Sequence, residues 1–105
     1  MRMTIAFLAA VLALGGSANA QTVKCAHAVT RGEKLVCSVK HLRGLDLRTN
    51  GHYMMALTRA EPPDYFHLKR TQKTFVAARR ACRSVACLEE VFKRRRYELR
   101  DVIYE

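Results

Sequence analysis

The sequence has no tryptophan, two prolines, and fewer than half as many acidic residues (9) as basic ones (19). It also lacks paired C-x-x-C or H-x-x-x-H spacings, which a structural zinc site needs. His27, His41, His52 and His67 stand singly, so no metal is expected. There is no Gly-rich phosphate loop and no Ser/His/Asp or Cys/His order suited to nucleophilic catalysis, so neither a cofactor nor an enzymatic activity is expected. Glu89-Glu90 is no glycosidase pair, because adjacent helical residues point about 100° apart. Strand-like alternation is absent, which excludes a sheet. No apolar run approaches the roughly 20 residues that span a bilayer.

The longest apolar run, Ile5 to Leu14, instead follows Arg2 and precedes Gly15-Gly16-Ser17 and Ala18-Asn19-Ala20. A short apolar core ending in a small-x-small tripeptide is the pattern of an export signal. Residues 1–20 are therefore expected to be cleaved, leaving residues 21–105 as one domain, periplasmic or secreted.

Export gives the cysteines their meaning. A chain this short gains little from its core alone. In an oxidising compartment an even cysteine count reads as disulfides. Cys25, Cys37, Cys82 and Cys87 permit three pairings, and their spacing favours the local one, 25–37 with 82–87. Without residues 1–20 the chain keeps 18 cations against 9 carboxylates. Outside a cell such a charge attracts lipopolysaccharide, teichoic acids or anionic lipid surfaces rather than a specific nucleic acid.

The apolar spacing is helical. Thr30-Arg31-Gly32-Glu33 has the form of a capping box, followed by Leu35, Val36, Val39 and Leu42. A second segment carries Leu42, Leu45, Thr49, Tyr53, Ala56 and Leu57, with a break or kink expected from Gly44 and Asn50-Gly51. Pro62-Pro63 ends it, and Asp64 is placed to cap a third helix running to about Cys82. Five residues of helix would separate the Cα atoms of Cys82 and Cys87 by roughly 8–9 Å, too far for a disulfide. A bond there requires a helix break, with a last helix from about Leu88 to Val102. The expected fold is all-α, a small disulfide-stapled helical hairpin or bundle of three to four helices.

At about 100° per residue, three charged residues fall on apolar faces. Arg95 lies among Leu88, Val91, Phe92, Leu99, Val102 and Ile103. Arg79 shares a stripe with Leu68, Gln72, Phe75 and Cys82. Asp46 sits beside Leu42, Thr49 and Tyr53. A core-facing arginine is costly unless paired, so internal ion pairs are expected, with Asp46 and Glu33 as the carboxylates available to Arg79 and Arg95. The alternative is a polar cleft that receives an anionic ligand or a partner's carboxylate. On the third helix Lys69, Lys73, Arg80 and Arg83 share a flank suited to a polyanion, and Lys93, Arg94 and Arg96 add charge beyond the break.

These residues resemble the lysozyme-inhibitor LprI-like family of small exported helical domains. Cys25 with Glu33-Lys34-Leu35-Val36-Cys37 resembles its C…E-x-x-I-C. Leu42-Arg43-Gly44-Leu45-Asp46 with Tyr53 resembles L-x-x-L-D…Y. Gln72, Phe75, Arg79 and Cys82 match Q-x-x-W-x-x-x-R-x-x-C, with phenylalanine for the tryptophan. Cys87-Leu88, Phe92, Arg95 and Leu99 match C-L-x-x-x-Y-x-x-R-x-x-x-L, with phenylalanine for the tyrosine. The resemblance implies a binding protein that blocks a lysozyme-type cell-wall hydrolase. The charge implies the alternative, a basic envelope protein that binds an anionic polymer, with lipopolysaccharide and peptidoglycan as candidates, or a structural protein without inhibitor activity.

Overall fold

Helix boundaries in this chain are set by caps and corners more than by propensity. A computed structural model describes residues 22–104. The expected signal at 1–20 and its cleavage point lie outside the described residues. After a 3-10 turn at Cys25–His27 come α1 (Arg31–Ser38), α2 (Lys40–Arg59), α3 (Pro62–Ala81) and α4 (Val85–Ile103). No strand occurs among the described residues, and the molecule is a flat body of 52 × 36 × 18 Å.

The capping box is present at α1. Thr30 Oγ1 accepts from the Glu33 amide at 3.2 Å, and Glu33 Oε1 accepts from the Thr30 amide at 2.9 Å. The expected kink in the second segment is not found. Helix α2 runs unbroken through Gly44 and Gly51, and the break falls earlier, at the extended Val39. Burial of Leu42, Thr49, Tyr53 and Ala56 along one face of α2 outweighs the weak helix propensity of its glycines.

Pro62 and Pro63 do more than end α2, since they occupy the first turn of α3, where their missing N–H groups are no loss. Asp64 is therefore not the cap. It lies inside the first turn, where its charge favours the helix N-terminus. The last helix also starts earlier than expected, at Val85, because Ser84 Oγ accepts from the Cys87 amide at 3.1 Å.

Both local disulfides are formed, Cys25–Cys37 and Cys82–Cys87, each with a Cα separation of 5.6 Å. The second spans the break at Cys82-Arg83-Ser84 between α3 and α4. The first ties the 3-10 turn to the end of α1. The start of α1 is pressed against the end of α3 at Gly32. A Cβ there would collide with the Arg79 carbonyl oxygen and stand 2.9 Å from that of Cys82. Arg31 Nε donates to the Arg83 carbonyl at 3.2 Å beside this contact.

The core is divided. Val36, Leu42, Phe75, Cys82, Leu88 and Phe92 form one apolar cluster near the disulfides, and Tyr53, Ala56, Leu68, Leu99 and Ile103 form another toward the far end. On each long helix, polar residues interrupt the sequence of buried apolar ones: Asp46 and Thr49 on α2, Gln72 and Arg79 on α3, and Arg95 on α4.

Candidate functional site

Two places gather chemistry: this internal polar layer and the cationic outer surface. In the layer, Arg79 Nη1 donates to Asp46 Oδ1 at 2.8 Å, with the two side chains 3% and 4% exposed. Asp46 Oδ2 accepts from the Val23 amide at 2.8 Å, which pins the extended segment before the first disulfide. Burial pushes the Asp46 carboxyl above its ordinary value of 3.8, while Arg79 and the Val23 N–H pull against that rise. The Arg79 guanidinium also lies 5.3 Å from the Phe75 ring centre.

Arg95 is placed otherwise than expected. It pairs with neither Asp46 nor Glu33. Its Nη1 donates to Thr71 Oγ1 at 2.9 Å and to Glu98 Oε1 at 3.1 Å. Its Nη2 donates to Gln72 Oε1 at 2.9 Å and to the Leu68 carbonyl at 3.3 Å. Tyr53 and Phe75 lie 5.6 and 5.9 Å from the guanidinium carbon. The charge is balanced by Glu98, whose side chain is 47% exposed against 1% for Arg95. Tyr53 titrates above its ordinary value because it is buried, although Arg95 opposes the shift.

Glu33 is engaged elsewhere for a local reason. At the third position of α1 its Oε1 accepts from the Thr30 and Val29 amides, and its Oε2 lies 3.8 Å from Arg80 Nη1. The Thr30 N–H leads in holding its carboxyl below the ordinary 4.5. Glu98 and Thr71 were missed from sequence. The i, i+3 spacing of Arg95 and Glu98 was the available signal, whereas Thr71 meets Arg95 only through the packing of α3 on α4.

The layer is thus filled by the protein's own groups. Arg95 borders a small crevice of about 90 Å³ between α3 and α4, together with Thr71, Phe75, Arg94 and Glu98, but its side chain is 1% exposed and its guanidinium is bonded within the layer. The four cysteines are all bonded, and the described residues hold no group of three or more His, Cys, Asp or Glu that could bind a metal. Among the described residues no helix is long and apolar enough to cross a membrane.

On the outer surface Lys69, Lys73, Arg80 and Arg83 are all exposed, as are Lys93 and Arg94, while Arg96 is half-buried. The stretch that carries this flank has no carboxylate of its own, and Glu33 of α1 meets it at Arg80. No acidic residue occurs between Asp64 and Glu89, and the only one between Glu33 and Glu61 is the buried Asp46. The acidic residues of the last helix, Glu89, Glu90, Glu98 and Asp101, face solvent there, Glu89 meeting His41 at 2.9 Å. The outer surfaces of α2 and α3 are therefore cationic from Lys40 to Arg80, apart from the corner at Glu61 and Asp64.

No family model, curated protein or solved structure matches the chain. The resemblance to the LprI-like family rests on the residues quoted for it.

Proposed function

We infer that this is an exported, non-catalytic binding protein of the cell envelope that holds phosphate- or carboxylate-bearing polymers on the cationic flank of α3. The carrying observation is the excess of positive charge: Lys69, Lys73 and Arg80 on α3, and Arg83 just past its end, are exposed on a stretch with no carboxylate of its own, where only Glu33 of α1 approaches, at Arg80. Such a surface attracts anions over a distance of about 8–10 Å at ordinary ionic strength, and its affinity falls as salt rises. The two disulfides suit an exported domain.

The resemblance supports a second reading, inhibition of a lysozyme-type hydrolase. Its matched residues Asp46, Gln72, Phe75, Arg79 and Arg95 meet in the interior, so they support a shared architecture more directly than a shared target. Many lysozymes are themselves basic, and like charge slows encounter.

One experiment separates these readings. The oxidised protein from residue 21 onward is tested for retention on lipopolysaccharide and peptidoglycan at rising salt, and for inhibition of cell-wall lysis by lysozymes of differing pI. Salt-sensitive retention that is lost in Lys69→Glu/Lys73→Glu is expected. Salt-insensitive, stoichiometric inhibition without polymer binding would replace the polyanion reading with the inhibitor one.

A further inference from the structure

The outer face of α2 is uncharged along its centre and cationic along its borders. Gly44, Leu47, Gly51, Met54 and Thr58 recur at steps of three and four, which places them on one stripe opposite the buried Leu42, Thr49, Tyr53 and Ala56. Leu47 is 60% exposed, Met54 50% and neighbouring Met55 45%. The stripe is about 21 Å long at 1.5 Å per residue.

Its two glycines have no internal reason to be glycine. A Cβ on Gly44 or Gly51 would meet nothing within 4 Å, and neither residue has a positive φ. Glycine weakens a helix, so these positions sacrifice stability while leaving the stripe flat. Lys40 stands in line with it at its N-terminal end, Arg43 and Arg48 flank it, and the only carboxylate of α2, Asp46, is buried against Arg79.

We propose that the outer stripe of α2 docks on an anionic lipid bilayer, with Leu47 and Met54 entering the headgroup boundary and the bordering cations meeting lipid phosphates. The proposal rests on the anionic-ligand reading above and narrows it to an amphiphilic ligand. A soluble polyanion would satisfy the cations and leave Leu47 and Met54 in water. A bilayer surface satisfies both, because it offers acyl boundary beneath a layer of negative charge. A second copy of the chain is disfavoured, since two cationic borders would repel. The long Lys and Arg side chains can lie along the apolar boundary while their heads reach phosphate.

The test uses the oxidised protein from residue 21 onward with three probes: vesicles of phosphatidylcholine alone, vesicles containing phosphatidylglycerol, and inorganic polyphosphate as a soluble polyanion. Co-sedimentation with the anionic vesicles only is expected. Leu47→Gln/Met54→Gln changes no charge and keeps good helix formers. It should weaken vesicle binding at least about tenfold, from the lost apolar burial, while polyphosphate binding is unchanged. The chain has no tryptophan, so Leu47→Trp supplies a single reporter whose emission should shift to the blue on anionic vesicles.

Vesicle binding by the glutamine variant at full strength, or an unmoved indole emission in Leu47→Trp, would overturn the lipid proposal and leave the polyanion reading standing. So would binding to polyphosphate without binding to anionic vesicles. Binding to neither anionic probe would overturn both.

Discussion

Removing the Asp46 carboxylate tests the internal architecture most directly. Asp46→Ala leaves the Arg79 guanidinium 3% exposed without the carboxylate 2.8 Å away, and leaves the Val23 amide without its acceptor. Breaking a buried ion pair on one side costs about 3–5 kcal/mol, because the remaining charge is uncompensated. For a domain of this size each kcal/mol lowers Tm by about 4–8 °C, so the variant should melt about 12–40 °C lower. The upward push on the Asp46 carboxyl is no contradiction. Burying the charge is costly, but stranding its partner costs more. The assay is thermal and urea denaturation followed by far-UV circular dichroism, with both disulfides intact. Asp46→Ala/Arg79→Met removes both charges and lets the new side chain lie against Phe75, so it should recover most of the loss. A single variant within about 0.5 kcal/mol of the parent, or a double variant no more stable than the single one, would refute the reasoning.

Glycine substitutions should divide by position. Gly32→Ala meets the Arg79 and Cys82 carbonyls, which are backbone and cannot swing aside, and should cost about 1–3 kcal/mol in urea denaturation. Gly44→Ala and Gly51→Ala meet nothing and should each stabilise by about 0.5–1 kcal/mol. Glu33 has a lowered folded pKa, so the stability its charge contributes is present above pH 4.5 and is lost as pH falls through the folded value. Melting curves should therefore show Glu33→Gln less stable than the parent near neutral pH, with the gap closing in acid. Serine pairs should rank the disulfides by loop length. Sequence separations of 12 and 5 residues correspond to about 3 kcal/mol for Cys25–Cys37 and about 2 for Cys82–Cys87.

The helical class, the capping box at Thr30 and the corner at Cys82–Cys87 were legible because each depends on residues close in sequence. Gly44 and Gly51 misled for the same reason. Local propensity argues for a break there, yet α2 is held on its inner face from Leu42 to Ala56, and tertiary burial overrides the local preference. The true break at Val39 carries no turn residue to announce it. Periodicity placed Arg79 and Arg95 inward, as they are, but it could not assign their partners. Asp46 reaches Arg79 across 33 positions, and Thr71 reaches Arg95 across 24. Glu33, the other candidate, was already committed to a helix start. The sequence does show both carboxylate-poor intervals. Only the burial of Asp46 turns the first of them into a cationic surface.

That burial also bears on how the resemblance is used. A motif residue that both packs and bonds inside a domain constrains the backbone around it, and it does so whatever the domain binds. Asp46 fixes Val23 and Arg79, and Arg95 joins α3 to α4 through Thr71, Gln72 and the Leu68 carbonyl. Two chains can therefore share these residues and differ in ligand, because ligand choice falls to side chains the architecture leaves free. In this chain those side chains are the exposed Lys69 and Lys73 of α3 and the outer stripe of α2. Reversing charge at Lys69 and Lys73 should change binding without changing the melting temperature, and altering Asp46 should do the opposite to the fold before any ligand is added.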